Sequence, residues 1–149
     1  MDIVIRPIEE RDYNQIVELF REFALFENLP ERMTNTMEQM LKEKAYFNGF
    51  AAINPEGMIV GYATWFFAYY TWVGKSMYMD DLYVKPEYRS NGLGTRLITR
   101  VIEFARESEC CKMRWQVSAW NKPAIEFYKK LGALIEDTEQ NCDLMLTGR

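Results

Sequence analysis

The chain of 149 residues contains no histidine. That absence removes Ser-His and Cys-His nucleophilic catalysis and every His-ligated metal centre. Cysteine is nearly as scarce. Cys110, Cys111 and Cys142 are an odd number, two of them adjacent, with no Cys-x-x-Cys spacing. The set fits neither a disulfide framework nor a structural zinc site, and it reads as reduced thiols in a cytoplasmic protein without metal. Positive charge is in short supply too. Eighteen Lys and Arg face 22 Asp and Glu, a net charge of −4, the wrong sign for a protein held to nucleic acid by phosphate contacts. An acidic surface suits basic small molecules better. No apolar run approaches the roughly 20 residues that cross a bilayer; the most apolar stretch, 62–73, is short and aromatic. The start Met1-Asp2-Ile3-Val4-Ile5-Arg6 lacks the basic-then-apolar plan of a signal peptide. No membrane partner is expected.

What is present fits one α/β domain over residues 1–149, about the modal domain size. Ile3, Val4 and Ile5 form a β-rich run stopped by Pro7. From Glu9 the apolar residues Tyr13, Ile16, Leu19, Phe20, Phe23 and Phe26 recur in steps of three and four, which predicts an amphipathic helix with acids in its first turn. A second helix is predicted over 35–45, with Asn35 and Glu38 as a capping box. Strands are predicted at 49–53 and 58–70 around an Asn54-Pro55-Glu56-Gly57 turn, and at 76–84. A helix over 94–107, a strand over 112–118, a helix over 123–131 closed by Gly132, and two short strands within 133–146 complete the chain. Antiparallel hairpins followed by a β-α-β crossover require a mixed, mostly antiparallel sheet flanked by helices.

The crossover carries the first chemical signal. Arg89-Ser90-Asn91-Gly92-Leu93-Gly94-Thr95 lies between strand and helix. Two glycines one residue apart permit positive φ and close backbone approach, so successive N–H groups converge on one anion at a helix N-terminus. Arg89 adds fixed charge, and the whole suits a pyrophosphate. The Gly-Lys-Ser/Thr ending of a Walker loop is missing, and Lys85 to Tyr88 separate the turn from its strand, unlike a Rossmann loop. Taken alone, the turn also fits a plain helix cap.

Its context decides between these readings. The run Asp81-Leu82-Tyr83-Val84-Lys85-Pro86-Glu87-Tyr88-Arg89-Ser90-Asn91-Gly92-Leu93-Gly94 resembles the acetyl-CoA motif of the GNAT acetyltransferases. Trp120-Asn121-Lys122-Pro123-Ala124-Ile125-Glu126-Phe127-Tyr128-Lys129-Lys130-Leu131-Gly132 resembles that family's second signature. Within the family the likeness runs to the spermidine/spermine (diamine) and thialysine acetyltransferases, through Ile5-Arg6-Pro7, Phe26-Glu27, Trp72-Val73-Gly74-Lys75 and Tyr78-Met79-Asp80-Asp81. The resemblance implies a single-domain GNAT fold, acetyl-CoA as co-substrate, a small-molecule amine acceptor and a homodimer.

It also implies roles. Backbone groups of Leu82, Tyr83 and Val84 would bond the pantetheine arm, one N–H would polarise the thioester, and Arg89, Ser90, Asn91, Gly92, Leu93, Gly94 and Thr95 would hold the pyrophosphate. Asn121 and Ala124 would face the cofactor. Tyr128 matches the family's general acid, since a phenol with pKa near 10 keeps its proton at neutral pH. An alkylammonium must lose a proton before it attacks, through a water in this reading, and with no histidine a carboxylate, Asp80 or Glu27, or a water chain is the candidate base. Asp80 stands where the polyamine enzymes have a strand glutamate. Neighbouring strand residues point to opposite faces, so Asp80 and Asp81 share a face only if the strand is bulged. Phe26, Glu27 and Trp72 are matched to acceptor binding. Tyr70 and Gln140 stand where the polyamine enzymes have acids, which favours a lysine-like amino acid or short diamine over spermine. The same machinery would serve acetylation of a protein lysine or N-terminal amine, or a non-catalytic acetyl-CoA-binding module.

Overall fold

The computed structural model describes residues 2–149. They fall into two compact units, one ending at Trp115 and the other running from Gln116 to Arg149. The first holds five strands in sequential order: β1 (Val4–Pro7), β2 (Asn48–Ile53), β3 (Ile59–Tyr70), β4 (Gly74–Val84) and β5 (Met113–Arg114). The first four pair antiparallel, and β5 joins β4 in parallel. The mixed, mostly antiparallel sheet is therefore as expected, with the parallel pair made by the crossover through α3 (Leu93–Glu107).

Helix α1 (Tyr13–Phe26) covers one face of this sheet. Its Tyr13, Ile16, Val17 and Leu19 are buried with Ala51, Ile59, Tyr62 and Tyr83 of β2 to β4, and Phe20 packs edge-on against Tyr62. The acids expected in its first turn sit instead in a 3-10 turn, Glu10–Asp12, ahead of the helix. Asp12 there receives both arms of Arg6, at 2.7 and 2.9 Å, and the Glu9 N–H at 2.8 Å. These bonds hold its carboxyl below the ordinary value and tie β1 to the start of α1. On the opposite face lies α3, with Leu97, Ile98 and Val101 fully buried and Phe104 against Trp65 and Phe50.

Helix α2 (Met37–Lys42) is shorter than predicted, and its cap is Thr36 rather than Asn35. The Thr36 hydroxyl accepts the Gln39 N–H at 3.0 Å, while Asn35 uses its side chain on the Thr36 N–H at 2.9 Å. The strand predicted over 112–118 is confined to Met113–Arg114.

The second unit contains α4 (Lys122–Lys130), and Gly132 follows it at φ 90°. The two strands predicted within 133–146 do not form: those residues carry no ladder, and Leu134, Leu144, Met145 and Leu146 are exposed. They have no sheet partner among the described residues, and short apolar segments do not form strands by themselves.

Candidate active site

The register of β3 and β4 shifts at one point. Thr64 faces Asp81 and Trp65 faces Met79, leaving Asp80 as an extra residue on β4. This is the bulge on which a shared face for the two acids depends. Asp81 lies on the α1 face, where its Oδ2 accepts the Tyr62 hydroxyl at 3.3 Å. Its N–H donates to the Thr64 hydroxyl at 3.1 Å instead of to a ladder carbonyl. The negative charge of Asp80, the extra residue of the bulge, bears on Tyr62, Tyr78 and Asp81 alike.

Their environment changes their acidity. Burial raises Asp80, although its side chain remains open to solvent, as in a recess that admits few waters. Burial also raises Asp81, with Asp80 second and Glu27 contributing, against the Tyr62 hydrogen bond, and carries it to about 7. Glu27, the C-cap of α1, thereby belongs to the same cluster. Asp81 is the residue that motif matching alone passed over. Its signal in the sequence was the adjacency to Asp80, which counts only once the bulge is known.

The edge of β4 beyond this cluster is open. β5 pairs with Met77 and Tyr78, so, among the described residues, 79–84 have no strand on that side. The Lys85 N–H donates to the Val60 carbonyl at 2.9 Å, toward β3. Successive residues face opposite edges, so the backbone groups of Leu82 and Val84 turn outward, whereas those of Tyr83 face β3. Two of the three residues assigned to the pantetheine arm thus present backbone to an incoming strand-like ligand. The side chain of Tyr83 serves otherwise, donating to Glu22 at 2.7 Å and stacking on Phe23.

The turn that follows is built as an anion cradle. Ser90 and Gly92 have φ of 69° and 76°, and Gly92 is the N-cap of α3 with open space above its Cα. The first N–H groups of α3, at Leu93, Gly94 and Thr95, have no intrahelical acceptor. Asn91 and Thr95 are exposed beside them, and Leu93 is buried beneath. These features fit a pyrophosphate, which needs converging N–H donors and room for close approach. Arg89 is less free than expected. Its Nε donates to the Val84 carbonyl at 2.8 Å, and its guanidinium lies 4.7 Å from the Phe26 ring and 5.4 Å from that of Tyr83. It clamps the end of α1 to the end of β4, with its remaining donors available to an anion.

Trp72 stands 96% exposed in the β3–β4 turn and is not packed into the acidic cluster. In the second unit, Asn121 caps α4, its side chain accepting the Ala124 N–H at 3.3 Å. Both groups are thereby committed to the helix start. Tyr128 is 8% exposed, with its ring 5.3 Å from that of Phe127.

Comparison with known proteins agrees with this fold. Residues 13–133 match the model of the acetyltransferase (GNAT) family. The chain belongs to that family. Among curated GNAT relatives, thialysine N-epsilon-acetyltransferase of Sus scrofa is 36% identical over 142 residues, covering 88% of this chain and 84% of its own. Spermidine/spermine N(1)-acetyltransferase-like protein 1 of Homo sapiens is 30% identical, covering 97% of this chain and 22% of its own. Among solved structures, an aminoglycoside acetyltransferase from an uncultured soil metagenomic sample superposes with a TM-score of 0.79 at 23% identity, over 97% of this chain and all of that one. The chain is an N-acetyltransferase, and the acetyl donor of its family is acetyl-CoA. No helix among the described residues is long and apolar enough to cross a membrane.

Proposed function

We propose that this acetyltransferase modifies the primary amine of a small molecule, a lysine-like amino acid or a short diamine, by direct attack in a ternary complex. The observation that carries the reading is the bulge at Asp80 beside the open edge of β4, with the charges of Asp80 and Glu27 both bearing on Asp81. Acetyl-CoA, when bound, supplies the acetyl thioester. The residues of this chain do the rest. Leu82 and Val84 present backbone N–H groups that bind along β4 and polarise a carbonyl. Gly92 to Thr95 hold the pyrophosphate. The Asp80–Asp81 pair accepts the ammonium proton, for which a carboxyl near 7 is well matched at neutral pH. Tyr128 supplies a proton to the departing thiolate. The exposed Phe67 and Tyr69, on one face of β3, pack against a second copy, which sedimentation velocity would register as a dimer.

The acceptor is short because the acids are few. Tyr70 and Gln140 offer no charge where the polyamine enzymes have it, and relatives 36% identical over most of their length are thialysine acetyltransferases. Lysine analogues and short diamines are expected to show higher kcat/KM than spermine, and Glu27→Gln to raise KM for the preferred amine. Spermine as the best substrate would overturn this choice of acceptor.

A further inference from the structure

One side chain of α1 grips the end of β4 at two points. Glu22 accepts the Tyr83 hydroxyl on Oε2 at 2.7 Å and the Lys85 ammonium on Oε1 at 3.3 Å. Residues two apart on an extended chain share a face, so a single carboxylate can bridge them. The buried Tyr83 ring is thereby fixed twice, tethered to Glu22 by its hydroxyl and stacked on Phe23 at 5.1 Å. Burial first, and then Glu22, holds the hydroxyl proton above the ordinary phenol range, so Tyr83 is a constant donor to Glu22. The same ring is one wall of the seat of Arg89. The guanidinium lies 5.4 Å from the Tyr83 ring centre and 4.7 Å from that of Phe26, and its Nε donates to the Val84 carbonyl at 2.8 Å. Val84 turns its backbone to the open edge, and a Cβ added at Gly94 would stand 4.0 Å from its Cγ2. Arg89 is therefore seated where the open edge of β4 meets the first turn of α3. With Nε committed, the rest of the fork remains to donate. A guanidinium recognises phosphate through fixed, planar geometry, so whatever holds its plane governs how well it binds.

We propose that Glu22 is a positioning residue for acetyl-CoA: by holding the Tyr83 ring it holds the plane of Arg89 toward the pyrophosphate. The proposal rests on the anion cradle described above and names what orients the cation beside it. Glu22 touches neither substrate and acts through Tyr83. Its ion pair with Lys85 anchors the carboxylate itself, so the Tyr83 hydroxyl meets an acceptor of fixed position. Charge alone argues the reverse. An acid near an anion site repels the anion, and its removal would tighten binding. Positioning requires that removal loosen it. The sign of the effect separates the two.

The test is isothermal titration of CoA, and of pantetheine by competition, into the native protein and its variants. Glu22→Ala is expected to weaken CoA roughly tenfold, and pantetheine, which has no pyrophosphate, much less. Glu22→Gln keeps an acceptor for the Tyr83 hydroxyl and is expected to recover most of the loss. Tyr83→Phe retains the ring and removes the tether. It is expected to weaken CoA in the same direction, and it tests the same bond if Glu22→Ala fails to fold. CoA bound by Glu22→Ala as tightly as by the native protein, or more tightly, overturns the positioning role. So does native affinity in Tyr83→Phe, or a Glu22→Gln variant no better than Glu22→Ala. Equal losses for CoA and pantetheine overturn it as well, because they report a general loosening. No binding of CoA by the native protein overturns the anion cradle and the positioning role with it.

Discussion

Two adjacent aspartates at a strand bulge place like charges side by side, and the protein tolerates this because one of them retains its proton near neutrality. Asp81, carried to about 7 by burial and by Asp80, is charged only above that value. A carboxyl whose folded value exceeds its unfolded one favours the folded state while protonated. That advantage is complete below about 3.8 and is lost as the pH rises through about 7. Asp81→Asn keeps an acceptor for the Tyr62 hydroxyl and removes the penalty. It is expected to melt higher than the native protein by a larger margin at pH 8 than at pH 4, and to turn over more slowly. Equal margins in thermal denaturation at the two pH values would show that burial does not press on this carboxyl. Tyr128 poses a different question, because its 8% exposure alone would suit a packed ring. Tyr128→Phe retains the ring and removes the proton, so turnover is expected to fall by about 10²- to 10⁴-fold with acetyl-CoA affinity little changed. Native turnover in the folded variant would return the residue to packing.

At the scale of elements, the turn into α3 binds by backbone, so its chemistry depends on conformation more than on side chains. Gly92, at φ 76° with open space above it, is expected not to accept Val: a branched side chain would leave the left-handed region and fill the cradle. Gly92→Val should weaken CoA binding at least tenfold, about 1.4 kcal/mol, by isothermal titration, and unchanged affinity in the folded variant would contradict the anion cradle. This turn was legible from the sequence because its glycines carry the conformation directly. Helices α1 and α3 were legible from their apolar period. The bulge was not, since an extra residue on β4 exists only relative to its pairing with β3, and one strand read alone shows strict alternation. Asn35 and Thr36 are both good caps, and the choice rests on Thr36 being extended, at φ −134° and ψ 159°, which composition does not reveal. The two short strands expected within 133–146 fail for a related reason: a strand needs a partner, and these residues have none in the described chain.

For the whole molecule, a net charge of −4 and an open strand edge beside an acidic cluster support the proposal of a small amine as acceptor. With no histidine in the chain, the proposal gives acceptance of the ammonium proton to carboxylates, which are effective near neutral pH when their surroundings raise them. The account is tested most directly by CoA thiol release from acetyl-CoA, measured across pH 5.5 to 9 with lysine, ornithine, short diamines, spermine and a lysine-bearing peptide as acceptors. It predicts release with the lysine-like acceptors and short diamines above the others, with kcat/KM rising through a pH of about 7 as the carboxylate pair loses its proton. Tight binding of CoA with no thiol released by any acceptor, or a clear preference for the peptide, would contradict it.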